Sequence, residues 1–426
     1  MTSFVKNIIA KKLFLSIFSA VFLISLAIVF PSIFNRGVPI YDDGPKKGLL
    51  VDGKFMELFI KDHNEHPVFY IRKFTNVPVF TLEKFTNLSL SASFILVQFI
   101  YISLTIYTLL TLTEYLYKKR FNYSLSSLIF FLLSFSIFFA FFIPIYTYDD
   151  FPQYLFLWLA FLFGLKKKYF ILTIFLSLSL LTRESSIFIF PSIAILLFPE
   201  IVENPKKFFT HKKELLRTIT IFVIPAIVFY FYILLQNILH SDILQKNLNY
   251  LEEERFTHLT FNFHNLQYGI ESFVVIALVF LSTVYILKFS KSFQNDRQKN
   301  TYKTAWLLAF IINTPVTLLA TRAQEARIMA LPLVLIWPYI GKYIFELLKE
   351  FESQTKDYLQ KWKKTNNIPL LLINLLSVIS ILALCYLFIL KVYTPGLNGF
   401  HRGYKIYALI TVSILSIHYL IIKKQN

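Results

Sequence analysis

Apolar residues come in runs along this chain, parted by short charged segments. A span-sized window places the runs at about 13–34, 88–117, 121–146, 151–165, 169–182, 185–199, 218–239, 269–287, 304–320, 328–347, 368–390 and 405–422. The pattern predicts an all-α, polytopic transmembrane helix bundle of about twelve spans, several of them short. Three consecutive runs, Phe151–Leu165, Tyr169–Thr182 and Ser185–Pro199, hold about 15 residues each, roughly 22 Å of helix. A bilayer core is about 30 Å thick. Asp149, Asp150, Arg183 and Glu184 stand at the ends of these runs. Ionised groups at membrane depth are costly and mark a site facing water or substrate. Because short spans cannot bring all their charged ends to the surface, the stretch is expected to floor a cavity sunk below the outer face.

Composition agrees with the pattern. Hydrophobic residues make up 56% of the 426, and mean hydropathy is +0.58, which no soluble domain requires. Cys385 is the one cysteine, so neither an intrachain disulfide nor a cysteine metal cluster is expected. Leu13–Phe34 is too long for a signal-peptide core and reads as a retained first span.

The net charge of +18 looks at first like a nucleic-acid signal. With the N-terminus placed inside, 27 of the 43 Lys and Arg fall on inner segments together with nine of the 25 acids. The outer side is then neutral and the excess lies wholly inside, which is the membrane-orientation bias, and no nucleic-acid partner is implied. The expected location is the plasma membrane, with both termini cytoplasmic. One long helix through Tyr169–Phe198 would export the later lysine clusters. Two short spans with a re-entrant turn at Arg183–Glu184 keep them inside.

This topology gathers the candidate chemistry on the outer side. The first outer loop, 35–87, carries Asp42 and Asp43. It also holds an apolar stripe over Leu49–Lys61 and a second mixed segment, Val68–Asn87, both read as interfacial elements. The loop 240–268 is a candidate lid. A carboxylate at Asp42 or Asp43, beside a second carboxylate, suits a general base taking a proton from a hydroxyl; a turn before Gly44-Pro45 is the bland reading. Asp149 and Asp150 suit orienting a sugar hydroxyl, binding a divalent cation or pairing with Arg183, and equally an N-cap for the next helix. Arg183 and Arg327 suit a phosphate clamp, with Glu184 and Glu325 as structural partners. His63, Glu65 and His66 lack diagnostic metal spacing, so no protein metal site is assigned, and a divalent cation stays open as the one cofactor.

Taken in order, these residues resemble the GT-C superfamily of integral membrane glycosyltransferases, including mannosyltransferase- and aminoarabinose-transferase-like proteins. Asp42-Asp43 matches the acidic motif of the first outer loop and His66-Pro67 a later proline. Asp149-Asp150 matches the second acidic motif, Arg183-Glu184-Ser185 the charged turn, and Glu325-Ala326-Arg327 the late motif. The resemblance implies a polyprenyl-phosphate sugar donor, a glycan, lipid or protein acceptor, an inverting transfer and a site on the outer face. It makes Asp42 and Asp43 catalytic, with Asp149, Asp150, Arg183, Glu184, Glu325 and Arg327 around the substrate. An O-antigen-type polysaccharide polymerase and a twelve-span transporter are the alternatives.

Overall fold

The computed structural model describes residues 3–29, 69, 71–118, 120–138, 149–239, 257–323, 327–365, 368–387 and 402–423. Among these there are helices and no strand. The longer helices are α1 (Ser3–Val29), α2 (Lys73–Thr86), α3 (Leu90–Leu116), α4 (Phe121–Leu133), α5 (Asp150–Leu165), α6 (Tyr169–Thr182), α7 (Phe190–Leu197), α8 (Lys212–Leu239), α9 (Leu266–Phe289), α10 (Lys299–Ala320), α11 (Trp337–Thr365), α12 (Ile368–Leu387) and α13 (Arg402–Lys423). Two 3-10 helices, Glu184–Ile189 and Ile328–Leu335, lead into α7 and α11.

Each of the twelve apolar runs is helical at least in part. Five helices, α1, α3, α8, α9 and α10, are long and apolar enough to cross a membrane, and the bent pair Ile328–Leu335 with Trp337–Asp357 would make a sixth. Shorter apolar helices of 10–17 residues include Asp150–Leu165, Tyr169–Thr182 and Glu184–Leu197, as the trio 151–199 leads one to expect. Leu49–Lys61 lies outside the described residues. The second mixed segment, Val68–Asn87, contains α2, which turns Thr75, Asn76 and Val79 inward.

The run 328–347 departs from its expected form. It is bent by 71° between the 3-10 helix and α11, and α11 continues straight through the basic segment beyond Lys349. Proline accounts for the break. Pro338 has no N–H, so the carbonyl four residues earlier, that of Val334, loses its helical partner. Trp158 Nε1 donates to that carbonyl at 2.8 Å. The same repair recurs in α2, where Pro78 frees the carbonyl of Phe74 and Tyr101 Oη donates to it at 3.3 Å. In hydrocarbon no water can do this, so a side-chain donor must.

Trp158, Trp337, Tyr154, Phe131 and Phe151 are fully buried together at the centre of the bundle. Phe131 meets Trp337 edge-on with ring centroids 4.8 Å apart, and Tyr154 meets Trp337 at 5.4 Å. Trp337 Nε1 donates to Ser134 Oγ at 2.9 Å, so the second indole is also satisfied. Between helices in lipid, shape contact rather than water exclusion does most of the holding. Gly341 shows how tight that contact is. A Cβ there would run into the Tyr123 carbonyl oxygen and Ser127 Oγ on α4. We expect Gly341→Ala to cost about 1–3 kcal/mol of stability, measured as a lower unfolding temperature in detergent.

The bundle has two polar ends, joined by α5, roughly 24 Å long at 1.5 Å per residue. One end holds the buried pair Lys12–Glu114 at 3.0 Å, which makes α1 and α3 antiparallel neighbours. Nearby, Lys342 Nζ and Tyr343 Oη donate to Asp296 at 3.1 and 3.0 Å, and the Gln298 amide donates at 2.9 Å. Burial alone would raise the Asp296 carboxyl pKa, but the Gln298 amide and Lys342 overcome it and hold the carboxyl below its usual range. A depressed folded pKa contributes stability that is whole above the unfolded value of about 3.9 and is lost as pH falls through the folded one. We expect Asp296→Asn to cost about 1.5–3 kcal/mol near neutrality, with the gap to wild type closing in melts taken below about pH 4.

Candidate functional site

The other polar end is built where α5 and α6 begin and stop. Asp149 occupies the N-cap position of α5 but makes no capping bond. Its carboxylate turns instead to α2 and the residue before it. Thr75 Oγ1 donates to Oδ1 at 2.5 Å and Arg72 Nη1 to Oδ2 at 3.2 Å. The helix-cap reading of this aspartate is therefore corrected: its side chain serves a tertiary contact. Asp150, one residue on, faces the opposite way and is 2% exposed. It pairs with Arg183 Nη1 through Oδ1, and Arg327 Nη1 lies 3.9 Å from Oδ2.

Local chemistry ends α6 at this point. Arg183 is extended, with φ −157° and ψ 121°, and the chain re-enters as a 3-10 helix at Glu184. Ser186 Oγ donates back to the Ser179 carbonyl at 2.9 Å. Gln153 Nε2 on α5 donates to Ser186 Oγ at 2.9 Å and Ser185 Oγ at 3.2 Å, fixing the turn against α5. Glu184 does not pair with its neighbour Arg183. Arg72 grips it in a two-pronged fork, Nε to Oε2 at 3.0 Å and Nη2 to Oε1 at 2.5 Å. Burial opposes the Arg72 charge, but the carboxylates of Glu184 and Asp149 outweigh it and hold the guanidinium protonated.

Four segments far apart in the chain thus meet: the start of α2, the start of α5, the α6 turn and the residue before the second 3-10 helix. Of the expected site residues, Asp149, Asp150, Arg183, Glu184 and Arg327 are brought together. Asp42, Asp43 and Glu325 lie outside the described residues. Arg72, Thr75 and Gln153 are additions. A usable signal for Arg72 existed: it is a cation directly after the apolar Val68–Ile71. Within the described part of the candidate lid, 257–268, the helix His258–Asn262 packs against the end of α10. Asn262 donates to the carbonyls of Leu318 and Thr321 and accepts from the Ala323 amide, each at 2.9 Å.

The six described groups are three guanidiniums and three carboxylates, so they balance. Arg72 spans two carboxylates, and Arg327 Nη1 stands 3.9 Å from Asp150 Oδ2. Arg183 keeps its Nε buried without a hydrogen-bond partner among the described residues. A buried donor left unmade costs about 1–3 kcal/mol, so an incoming oxyanion that accepts from it gains that much beyond simple attraction. A divalent cation fits less well. Asp149, Asp150 and Glu184 already face arginines, and no group of three metal-type ligands occurs among the described residues. No protein-family model, curated protein or solved structure matches the chain.

Proposed function

We propose that this protein is a membrane glycosyltransferase of GT-C type that moves a sugar from a polyprenyl-phosphate donor to an acceptor hydroxyl at the outer face. The observation that carries the reading is Arg183: a buried guanidinium in a membrane bundle whose Nε has no hydrogen-bond partner among the described residues, with Arg327 across Asp150 from it. The pair suits a phosphate whose lipid tail stays in hydrocarbon. In the proposed step the acceptor O–H gives its proton to Asp42 or Asp43 as its oxygen bonds to the sugar's anomeric carbon. The bond from that carbon to the phosphate oxygen breaks, and polyprenyl phosphate leaves with the electron pair. The leaving group needs no proton, so one base suffices, unlike the paired carboxylates of an inverting glycosidase. Arginines placed at the departing phosphate stabilise the charge that develops there. The twelve-span topology, with both ends cytoplasmic and this cluster outside, belongs to the same proposal and rests on the lysine bias.

The deciding experiment gives purified protein in liposomes a polyprenyl-phosphate sugar labelled in the sugar, with glycan, lipid and peptide acceptors. Transfer of label with release of polyprenyl phosphate is expected. Label accumulating unchanged inside the vesicles would replace this reading with the transporter, and a ladder of product lengths would point to the polymerase.

A further inference from the structure

At the end of the bundle away from the arginines, α6 and α8 pack side by side and leave a groove of about 570 Å³ between them. Ile174, Ile221, Ile224 and Val228 line its length, and Lys213 and Arg217 stand at one end. Its hydroxyls make no demand on an occupant. Thr173, Ser177 and Thr220 each donate to the carbonyl four residues back in their own helix, at 3.0, 3.0 and 2.8 Å. Beyond the cations the slot is therefore apolar in effect although Thr173, Ser177 and Thr220 line it.

The cations at its mouth are positioned but poorly neutralised. The Arg217 guanidinium lies over the rings of Tyr169 and Phe198, at 4.8 and 5.7 Å. Its contact with Glu214 is long, 3.9 Å, and both side chains are about two-fifths exposed. Lys166, Lys167 and Lys168 precede α6 at the same end. Of the five span-length helices, α8 is the least covered, with 17% of its apolar window buried.

We propose that this groove holds an anionic phospholipid, with an acyl chain along the isoleucines and the phosphate at Lys213 and Arg217. The eleven steps from Arg217 to Val228 rise roughly 16 Å, close to the half-thickness of a bilayer core, about 15 Å. A zwitterionic lipid would fill the slot but bring its own cation to the mouth, so the net positive charge there would stay. Free phosphate would meet the cations and leave the slot empty. A basic pocket between membrane helices selects an anionic head group for this reason. The proposal stands apart from the glycosyl-transfer reading, because it concerns the opposite end of α6 and needs no turnover.

The test places full-length protein in nanodiscs of phosphatidylcholine containing phosphatidylglycerol and counts retained lipids by native mass spectrometry. Wild type is expected to hold one phosphatidylglycerol in preference to phosphatidylcholine. Lys213→Gln and Arg217→Gln should each cut that preference roughly fivefold, and Ile224→Trp should abolish retention with both cations in place. Equal retention of the two lipids by wild type would overturn the proposal, whether or not the variants fold. So would displacement of the bound lipid by inorganic phosphate, or retention unaltered by Ile224→Trp.

Discussion

Asp42→Asn together with Asp43→Asn is expected to lower sugar transfer by about 10²–10⁴-fold while leaving expression and melting temperature near those of wild type. The size follows from the role. A positioned base removes the acceptor proton as the new bond forms, and an amide of the same shape cannot. The exchange adds no bulk, so stability is the internal control. Each single variant separates the roles, because in the proposed mechanism one carboxylate acts as base and the other supports it. Initial-rate assays with labelled donor read the effect. Full activity in both single variants and in the double variant would remove these residues from the chemistry and leave the arginine cluster without a base.

Arg72→Ala is expected to destabilise the protein by about 3–5 kcal/mol, the largest effect on folding of any exchange considered. Arg72 is 7% exposed and holds two carboxylates, Glu184 by a fork and Asp149 by one further bond. Removing it strands both acids in a site that water reaches poorly, and that stranding supplies most of the loss. Arg72→Lys keeps the charge and loses the planar fork, so a smaller loss is expected. Coupling Arg72→Met with Glu184→Gln removes both charges of the fork and should recover part of the stability. Thermal unfolding in mild detergent measures all of these. If Arg72→Ala melted as wild type does, the cluster could not be holding α2 against the α6 turn.

Much of this architecture is legible in residue order. Charges at both ends of 15-residue apolar runs give the break at Arg183, and the helix does stop there. Asp149, Asp150, Arg183 and Arg327 are legible as a group because ions inside apolar sequence have few places to go except together. Partner choice is a different matter. Glu184 sits next to Arg183 in sequence yet bonds Arg72, 112 residues away. The backbone turn at Arg183 sends the two side chains in different directions, and no local pattern encodes that. The bend before α11 is half legible. Pro332 and Pro338 announce a disturbance, but the donor that makes it tolerable, Trp158, comes from another helix. Gln153 carries no signature at all; its importance is that of a bolt between two turns.

The equality of cations and anions in the described cluster has a kinetic meaning. Opposed charges that sum to zero cast little field beyond a few ångströms, so such a site does not steer a charged head group from a distance, as a focused single-sign cleft does. In the proposed reading a lipid-borne head group arrives instead by two-dimensional diffusion along the bundle. On arrival, a phosphate upsets the neutrality. In the proposed reading either Asp150 yields part of its hold on Arg183 or a proton accompanies the newcomer, so occupancy would act first on the pair that joins α5 to the α6 turn.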